Sequence, residues 1–181
     1  MKVVVPLANG FEEIEFTTIV DILRRAGIEV TVAGLKEEVT EGAHGVKVIP
    51  DISIDKVNAT DFDAIALPGG FPGFVNLGND ERVLRLVTEM HRKDKYVTAI
   101  CGAPMVLDKA GILKGKKATC HPGEKNVLKN ACHVDERVVV DGKLITSQGP
   151  GTAMEFSLKL VEVLVGKDKA KELSKATLAK L

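Results

Sequence analysis

The chain has 181 residues, 45% of them hydrophobic and 28% charged, the balance of an ordinary globular protein long enough to bury a sizeable core. Its 25 basic and 25 acidic side chains cancel and are interspersed, so nothing favours nucleic acid or a membrane surface as a partner. The apolar run that follows Met1 and Lys2 is too short for a signal-peptide core or a membrane span, and three cysteines without a Cys-x-x-Cys argue against a disulfide framework and for a reducing cytoplasm.

Lys2–Leu7 reads as a strand buried on both faces of a parallel sheet. Asn9-Gly10 breaks it, and Glu12 to Ala26 then shows helical spacing, with Ile14, Ile19, Ile22, Leu23 and Ala26 able to form one face. Gly27 ends that helix and Ile28–Ala33 is a second strand, a βαβ opening that predicts a parallel sheet with a right-handed crossover. Glu37–Thr40 and Val46–Ile49 are short strand candidates around Gly42 and Gly45, forming an excursion hairpin, and Asp51–Val57 is a short connector. Phe62–Leu67 is the next parallel strand. It ends in Pro68-Gly69-Gly70-Phe71-Pro72-Gly73, too rich in Gly and Pro for regular structure. Glu81–Lys93 is an amphipathic helix with Val83, Leu84, Val87 and Met90 inward.

Tyr96–Ile100 is a short buried strand that breaks at Cys101 and restarts as a helix running to about Ala110, with Pro104 in its first turn and Gly111 as its stop. Lys117–Cys120 is a short strand leading to His121-Pro122. Val138–Val140 and Lys143–Thr146 flank Asp141-Gly142, a strong hairpin signal. Gly149-Pro150-Gly151 opens a helix over Thr152–Val165 that Gly166 stops, and Lys167–Leu181 supplies one or two short outer helices. With no repeat, linker or low-complexity tract, one domain spans residues 1–181.

In an open parallel α/β sheet, ligands bind beyond the carboxyl ends of the strands. Glu12, Glu13, Glu15, Gly69, Gly70, Cys101 and His121 all fall there. A cysteine at a strand–turn–helix corner meets free N–H groups and the positive end of a helix dipole, which favour the thiolate, although a small buried hydrophobe is the commoner fate of a free cysteine. The N–H groups of Gly102 and Gly70 are candidate oxyanion donors. His121 is the candidate base, against the alternative of a hydrogen-bonding histidine before a proline turn. The three glutamates are equally explained by dipole placement at a helix start. His44, His91 and His133 lack a partner at a useful spacing. Cys120-His121 and Cys132-His133 supply one ligand each to any one face of a strand, so no zinc site is expected. Neither Gly-x-Gly-x-x-Gly nor Gly-x-x-x-x-Gly-Lys-Ser/Thr occurs, and no cofactor is expected.

Gly10-Phe11-Glu12-Glu13-Ile14-Glu15, Asp21–Gly27, Leu67-Pro68-Gly69-Gly70, Ala99–Pro104, His121-Pro122 and Thr146–Thr152 together resemble the DJ-one (ThiJ/PfpI) superfamily, over nearly the whole chain and in order. The Arg-Arg-Ala-Gly helix end and the tail after Gly166 are in the style of the branch of the Parkinson-disease-associated protein and its bacterial relatives. The resemblance implies an α/β fold, a flavodoxin-like three-layer sandwich with a central, mostly parallel sheet, and a homodimer. It makes Cys101 the elbow nucleophile and Glu15 a protonated carboxyl hydrogen-bonded to its sulfur. His121 becomes the base or proton relay, and Gly70 and Gly102 the oxyanion donors. It implies glutathione-independent conversion of methylglyoxal to lactate (glyoxalase III type), protein deglycase activity, oxidative-stress sensing through Cys101 and chaperone-like holding. Protease-like members carry His directly after the cysteine, where this chain has Gly102, and glutamine amidotransferases need a His-x-Glu that the segment Gly149–Phe156 lacks. A small aldehyde is therefore the expected substrate, with a redox sensor as the rival and a cysteine peptidase the least supported.

Overall fold

The computed structural model describes residues 1–180. Its first strand, β1 (Lys2–Leu7), alternates as a strand buried on both faces must: Val3, Val5 and Leu7 enter one apolar cluster and Val4 enters the other. Helix α1 (Glu13–Arg25) crosses over to β2 (Glu29–Gly34), which pairs parallel to β1 with Val3 opposite Val30. The inner face of α1 is carried by Glu15, Phe16, Ile19, Ile22 and Leu23; Ile14, expected inward, is 56% exposed. The apolar stripe thus begins one residue later, and a carboxylate occupies its first inward position.

The excursion is a two-stranded antiparallel hairpin, β3 (Thr40–Glu41) with β4 (Lys47–Val48). The expected connector instead contributes an edge strand, β5 (Ile52–Ser53), parallel to β2. Strand β6 (Ala64–Leu67) leads through the Gly- and Pro-rich loop into a helix the sequence reading did not assign, α2 (Gly73–Asn79), which buries Phe74 and Leu77. Helix α3 (Glu81–Arg92), N-capped by Asp80 Oδ1 on the Arg82 N–H at 2.9 Å, turns Leu86 inward, whereas Leu84 is only half-buried. Then follow β7 (Tyr96–Ile100) and α4 (Pro104–Lys109). Strand β8 (Lys117–Ala118), expected in the main sheet, pairs instead with β9 (Cys132–His133) in a separate two-stranded ribbon. The hairpin β10 (Val138–Asp141) and β11 (Leu144–Ser147), helix α5 (Ala153–Val165) and helix α6 (Lys167–Ala176) complete the fold. The last residue of the expected tail, Leu181, lies outside the described residues.

Among the described residues, seven strands form the main sheet in the order β10-β11-β7-β6-β1-β2-β5, parallel except for the β10–β11 hairpin. One face packs on α2, α3 and α4 through Phe74, Leu77, Val87, Met90 and Leu107; the other packs on α1 and α5 through Phe16, Ile19, Leu23, Phe156 and Val161. Each of these side chains contributes about 1.5–3 kcal/mol by leaving water. The result is a three-layer flavodoxin-like α/β sandwich whose carboxyl edge gathers the ends of β1, β6 and β7. No described helix is long and apolar enough to cross a membrane.

Candidate active site

Cys101 follows β7 directly and sits at φ +66°, the left-handed region that a side chain enters at a cost of about 1–2 kcal/mol. The surroundings fix it there. Its N–H donates to Ser147 O at 2.9 Å, Ala103 N–H donates to Ile100 O at 3.0 Å, and His121 N–H donates to Cys101 O at 2.9 Å. This is a nucleophile elbow, a sharp strand-to-helix turn that lifts one side chain to the sheet edge. Gly102 is required next to it, because a Cβ there would stand 2.5 Å from the Phe74 ring, and Phe74 belongs to the unforeseen helix α2.

Glu15 is fully buried. Its Oε2 accepts the Gly69 N–H at 2.8 Å, while its Oε1 meets no hydrogen-bond partner at ordinary distance among the described residues. Gly69 marks where the two reactive groups converge: a Cβ there would lie 2.7 Å from Cys101 Cβ and 2.8 Å from Glu15 Oε2. Burial pushes the Glu15 carboxyl up to about 7, aided by the charge of Glu12 and opposed by the Gly69 N–H. The carboxyl therefore holds a proton for much of the time at neutral pH.

The expectation that the elbow would by itself favour the thiolate is not met. Burial raises the Cys101 thiol above its ordinary value, and the charge of ionised Glu15 raises it further, whereas the N–H groups of Gly102 and Gly70 pull it down. Helix α4 begins only at Pro104 and runs six residues, too short to outweigh burial. Cys101 and Glu15 titrate as a coupled pair, because ionised Glu15 raises the thiol and neutral Glu15 does not.

His121 reaches this edge from the ribbon strand β8 rather than from the main sheet. Its ring is exposed, Nδ1 accepts the Gly123 N–H at 3.1 Å, and Nε2 therefore carries the proton in the neutral ring. Gly149 flanks the ring, with its Cβ position 3.4 Å from Cδ2. Cys120 turns away: it is fully buried in the cluster on the α2–α4 face, its thiol pushed up by burial to about 11. Cys132 is exposed, and all three cysteines are free.

One pairing escaped the sequence reading. His44 on the β3–β4 turn has its Nδ1 2.8 Å from Glu13 Oε2 and donates its N–H to Glu13 Oε1 at 2.6 Å. Gly42 makes room for that carboxylate, since a Cβ there would lie 2.3 Å from Glu13 Oε1. Burial works against the Glu13 charge, but the hydrogen bonds from His44 hold its carboxyl below the usual range. Ligand atoms of Glu12, Glu13 and His44 fall within 4.8 Å of one another. They are already committed, because Glu12 Oε2 caps the Glu15 N–H at 2.7 Å and both Glu13 oxygens clasp the hairpin. The only sequence signal for the pairing was the run of glutamates at the start of α1, which dipole placement already explained.

The packing of Gly102 yields an expected result. Gly102→Ala should destabilise the fold by about 1–3 kcal/mol through the clash with Phe74. Phe74→Leu in the same background should recover part of that loss. Denaturant unfolding of the two single variants and the double variant measures this, and additive losses would exclude the clash as the cause.

Residues 1–163 match the DJ-1/PfpI family. The crystal structure of DJ-1beta from Drosophila melanogaster superposes with a TM-score of 0.96 at 44% identity, covering 99% of this chain and 98% of that one. DJ-1 homolog A of Arabidopsis thaliana is 42% identical over 98% of this chain, which spans 46% of the plant protein's length. The glutathione-independent glyoxalase DJR-1.2 of Caenorhabditis elegans is 37% identical over 91% of this chain and 88% of its own length. A cysteine elbow facing a buried carboxyl at the edge of a flavodoxin-like sheet, carried on a sequence and a backbone this similar, means that the chain belongs to the DJ-1/PfpI family.

Proposed function

We propose that this chain is a cysteine-dependent enzyme of the glyoxalase III type, converting small α-oxoaldehydes such as methylglyoxal to α-hydroxy acids such as lactate without glutathione. The observation that carries the reading is the fully buried Glu15, with a pKa of about 7, set against the Cys101 sulfur at the elbow. Glu15 takes the thiol proton as the sulfur bonds to the aldehyde carbon. The N–H groups of Gly70 and Gly102 hold the oxygen of the resulting hemithioacetal. Glu15 passes the thiol proton to that oxygen, and His121 or Glu15 then removes the proton from the former aldehyde carbon and delivers it by way of the enediol to the neighbouring carbon. The former aldehyde carbon becomes a thioester carbonyl. Water then breaks the C–S bond, releasing the hydroxy acid and restoring the thiol, so that oxoaldehyde and water are the whole input. A relative named as a glutathione-independent glyoxalase supports the same chemistry. Protein deglycase activity is the extension of this chemistry to early glycation adducts.

A second reading, oxidative-stress sensing with chaperone-like holding, has one observation of its own. The unpartnered Oε1 of Glu15 and the two glycine N–H groups would also hold the oxygens of an oxidised Cys101 sulfur. We place the chain in the cytoplasm on its three free cysteines. A homodimer is supported by exposed apolar side chains at the end of the molecule where the hairpin meets α1, namely Ile14, Val46 and Phe71. Purified protein given methylglyoxal without glutathione should form lactate, and no lactate beside a working positive control overturns the enzyme reading.

A further inference from the structure

Behind the elbow lies a buried chain of hydroxyl groups that the reaction above does not use. Ser147 is fully buried and Thr152 is 4% exposed. Their oxygens lie 2.6 Å apart, Ser147 Oγ lies 2.7 Å from Arg137 O, and Gly149 N–H donates to Thr152 Oγ1 at 3.0 Å. The carbonyl of Gly149 accepts both the Thr152 N–H and the Thr152 hydroxyl, each at 2.8 Å. Thr152 Oγ1 therefore bridges Ser147 Oγ and both backbone groups of Gly149, and Arg137 O, which also accepts the Gln148 N–H at 3.3 Å, closes the chain behind Ser147. Such chains strengthen each bond in them, and a broken one leaves buried polar atoms unpaired.

Both ends of this chain touch the reacting groups. Ser147 O accepts the N–H of Cys101, the residue held at φ +66°. Gly149 flanks the imidazole of His121, whose own N–H is bound to Cys101 O. A strained φ persists only where its neighbours over-determine it, and here the same hydroxyls fix both the elbow and the wall behind the imidazole. We propose that Thr152 is a positioning residue whose hydroxyl, bridging Ser147 and Gly149, sets the placement of the His121 ring relative to the Cys101 elbow. Its catalytic consequence rests on the reading of Cys101 and His121 as the reacting groups; its structural consequence does not.

Thr152→Val keeps the shape and removes the hydroxyl, and Thr152→Ser keeps the hydroxyl. In Thr152→Val, kcat for methylglyoxal should fall ~10-fold or more with KM unchanged, the pattern of lost alignment rather than lost binding. The ring resonances of His121 should shift in Thr152→Val, as the ring's surroundings change, and stay at wild-type positions in Thr152→Ser. Thr152→Ser should retain turnover within about 2-fold. If Thr152→Val does not fold, Ser147→Ala breaks the same chain from the other side and should show the same split. Wild-type turnover together with unmoved His121 resonances in Thr152→Val overturns the proposal, as does equal damage in Thr152→Ser. Should the wild type make no lactate at all, the enzyme reading falls, and the imidazole resonances still decide the role of Thr152.

Discussion

Glu15→Gln should remove about 3 kcal/mol of pH dependence from the protein's stability. The folded pKa of Glu15 is raised from 4.5 to about 7 by burial, so between those values the folded state binds more protons than the unfolded one. Stability conferred by the neutral carboxyl is complete below about 4.5, falls as the pH rises and is exhausted just above 7. A shift of that size, at about 1.4 kcal/mol per unit, gives the magnitude. Glutamine keeps an oxygen for the Gly69 N–H and never ionises. The difference between the two unfolding free energies, measured by denaturant at pH 5 and pH 8, isolates this one group, and a constant difference would refute the buried-acid assignment. Reactivity should divide in the opposite sense. Without a carboxylate beside it, the Cys101 thiol loses the charge that raises it and should alkylate faster at pH 8. In the proposed reaction, turnover of methylglyoxal should nevertheless fall roughly 10²–10⁴-fold, because Glu15 is the proton carrier proposed there. A variant more reactive and less active than the wild type separates proton transfer from nucleophilicity.

What could be read from the sequence, and what could not, follows the range of the interactions. β1, β7 and the β10–β11 hairpin announce themselves through continuous or alternating apolar runs and an Asp-Gly turn, all local signals. Helix α2 was hidden because the glycines and prolines before it serve tertiary contacts: Gly70 and Gly73 are small because the backbone of Gly10–Glu12 lies within 2.2–2.7 Å of their Cβ positions. The placement of β8 failed for a similar reason, its partner being β9, two residues long and exposed. At the site, the identities of Cys101, Glu15, Gly70, Gly102 and His121 came from motif order. The direction of the Cys101 shift did not, because it depends on burial and on a carboxylate 86 positions away in the chain, which no local spacing records. The Glu13–His44 clasp is equally non-local, joining residues 31 apart.

Under the proposed glyoxalase reaction, in which the sulfur itself makes the bond to the substrate, Cys101→Ala should abolish lactate formation, by about 10⁴-fold or more. The more informative comparison is with Cys101→Gly. Ordinarily glycine is the less stable of the two, by about 0.5–1 kcal/mol, because the unfolded chain gains freedom. At φ +66° alanine retains the clash between Cβ and the following carbonyl that makes this region costly for L-residues, whereas glycine does not. The two effects oppose each other, and the strain of about 1–2 kcal/mol is the larger, so Cys101→Gly should be the more stable variant, by up to about 1 kcal/mol. Denaturant midpoints of the two inactive proteins at one pH give the answer directly, and Cys101→Ala as the more stable protein would mean that the elbow is not strained. If glycine wins, the position is one where the fold would accept a better residue and keeps a worse one. Hydrogen bonds to Ser147 and Ile100 and from His121 hold the turn against its own preference, and what they secure is the presentation of one sulfur between two glycine N–H groups and a buried acid.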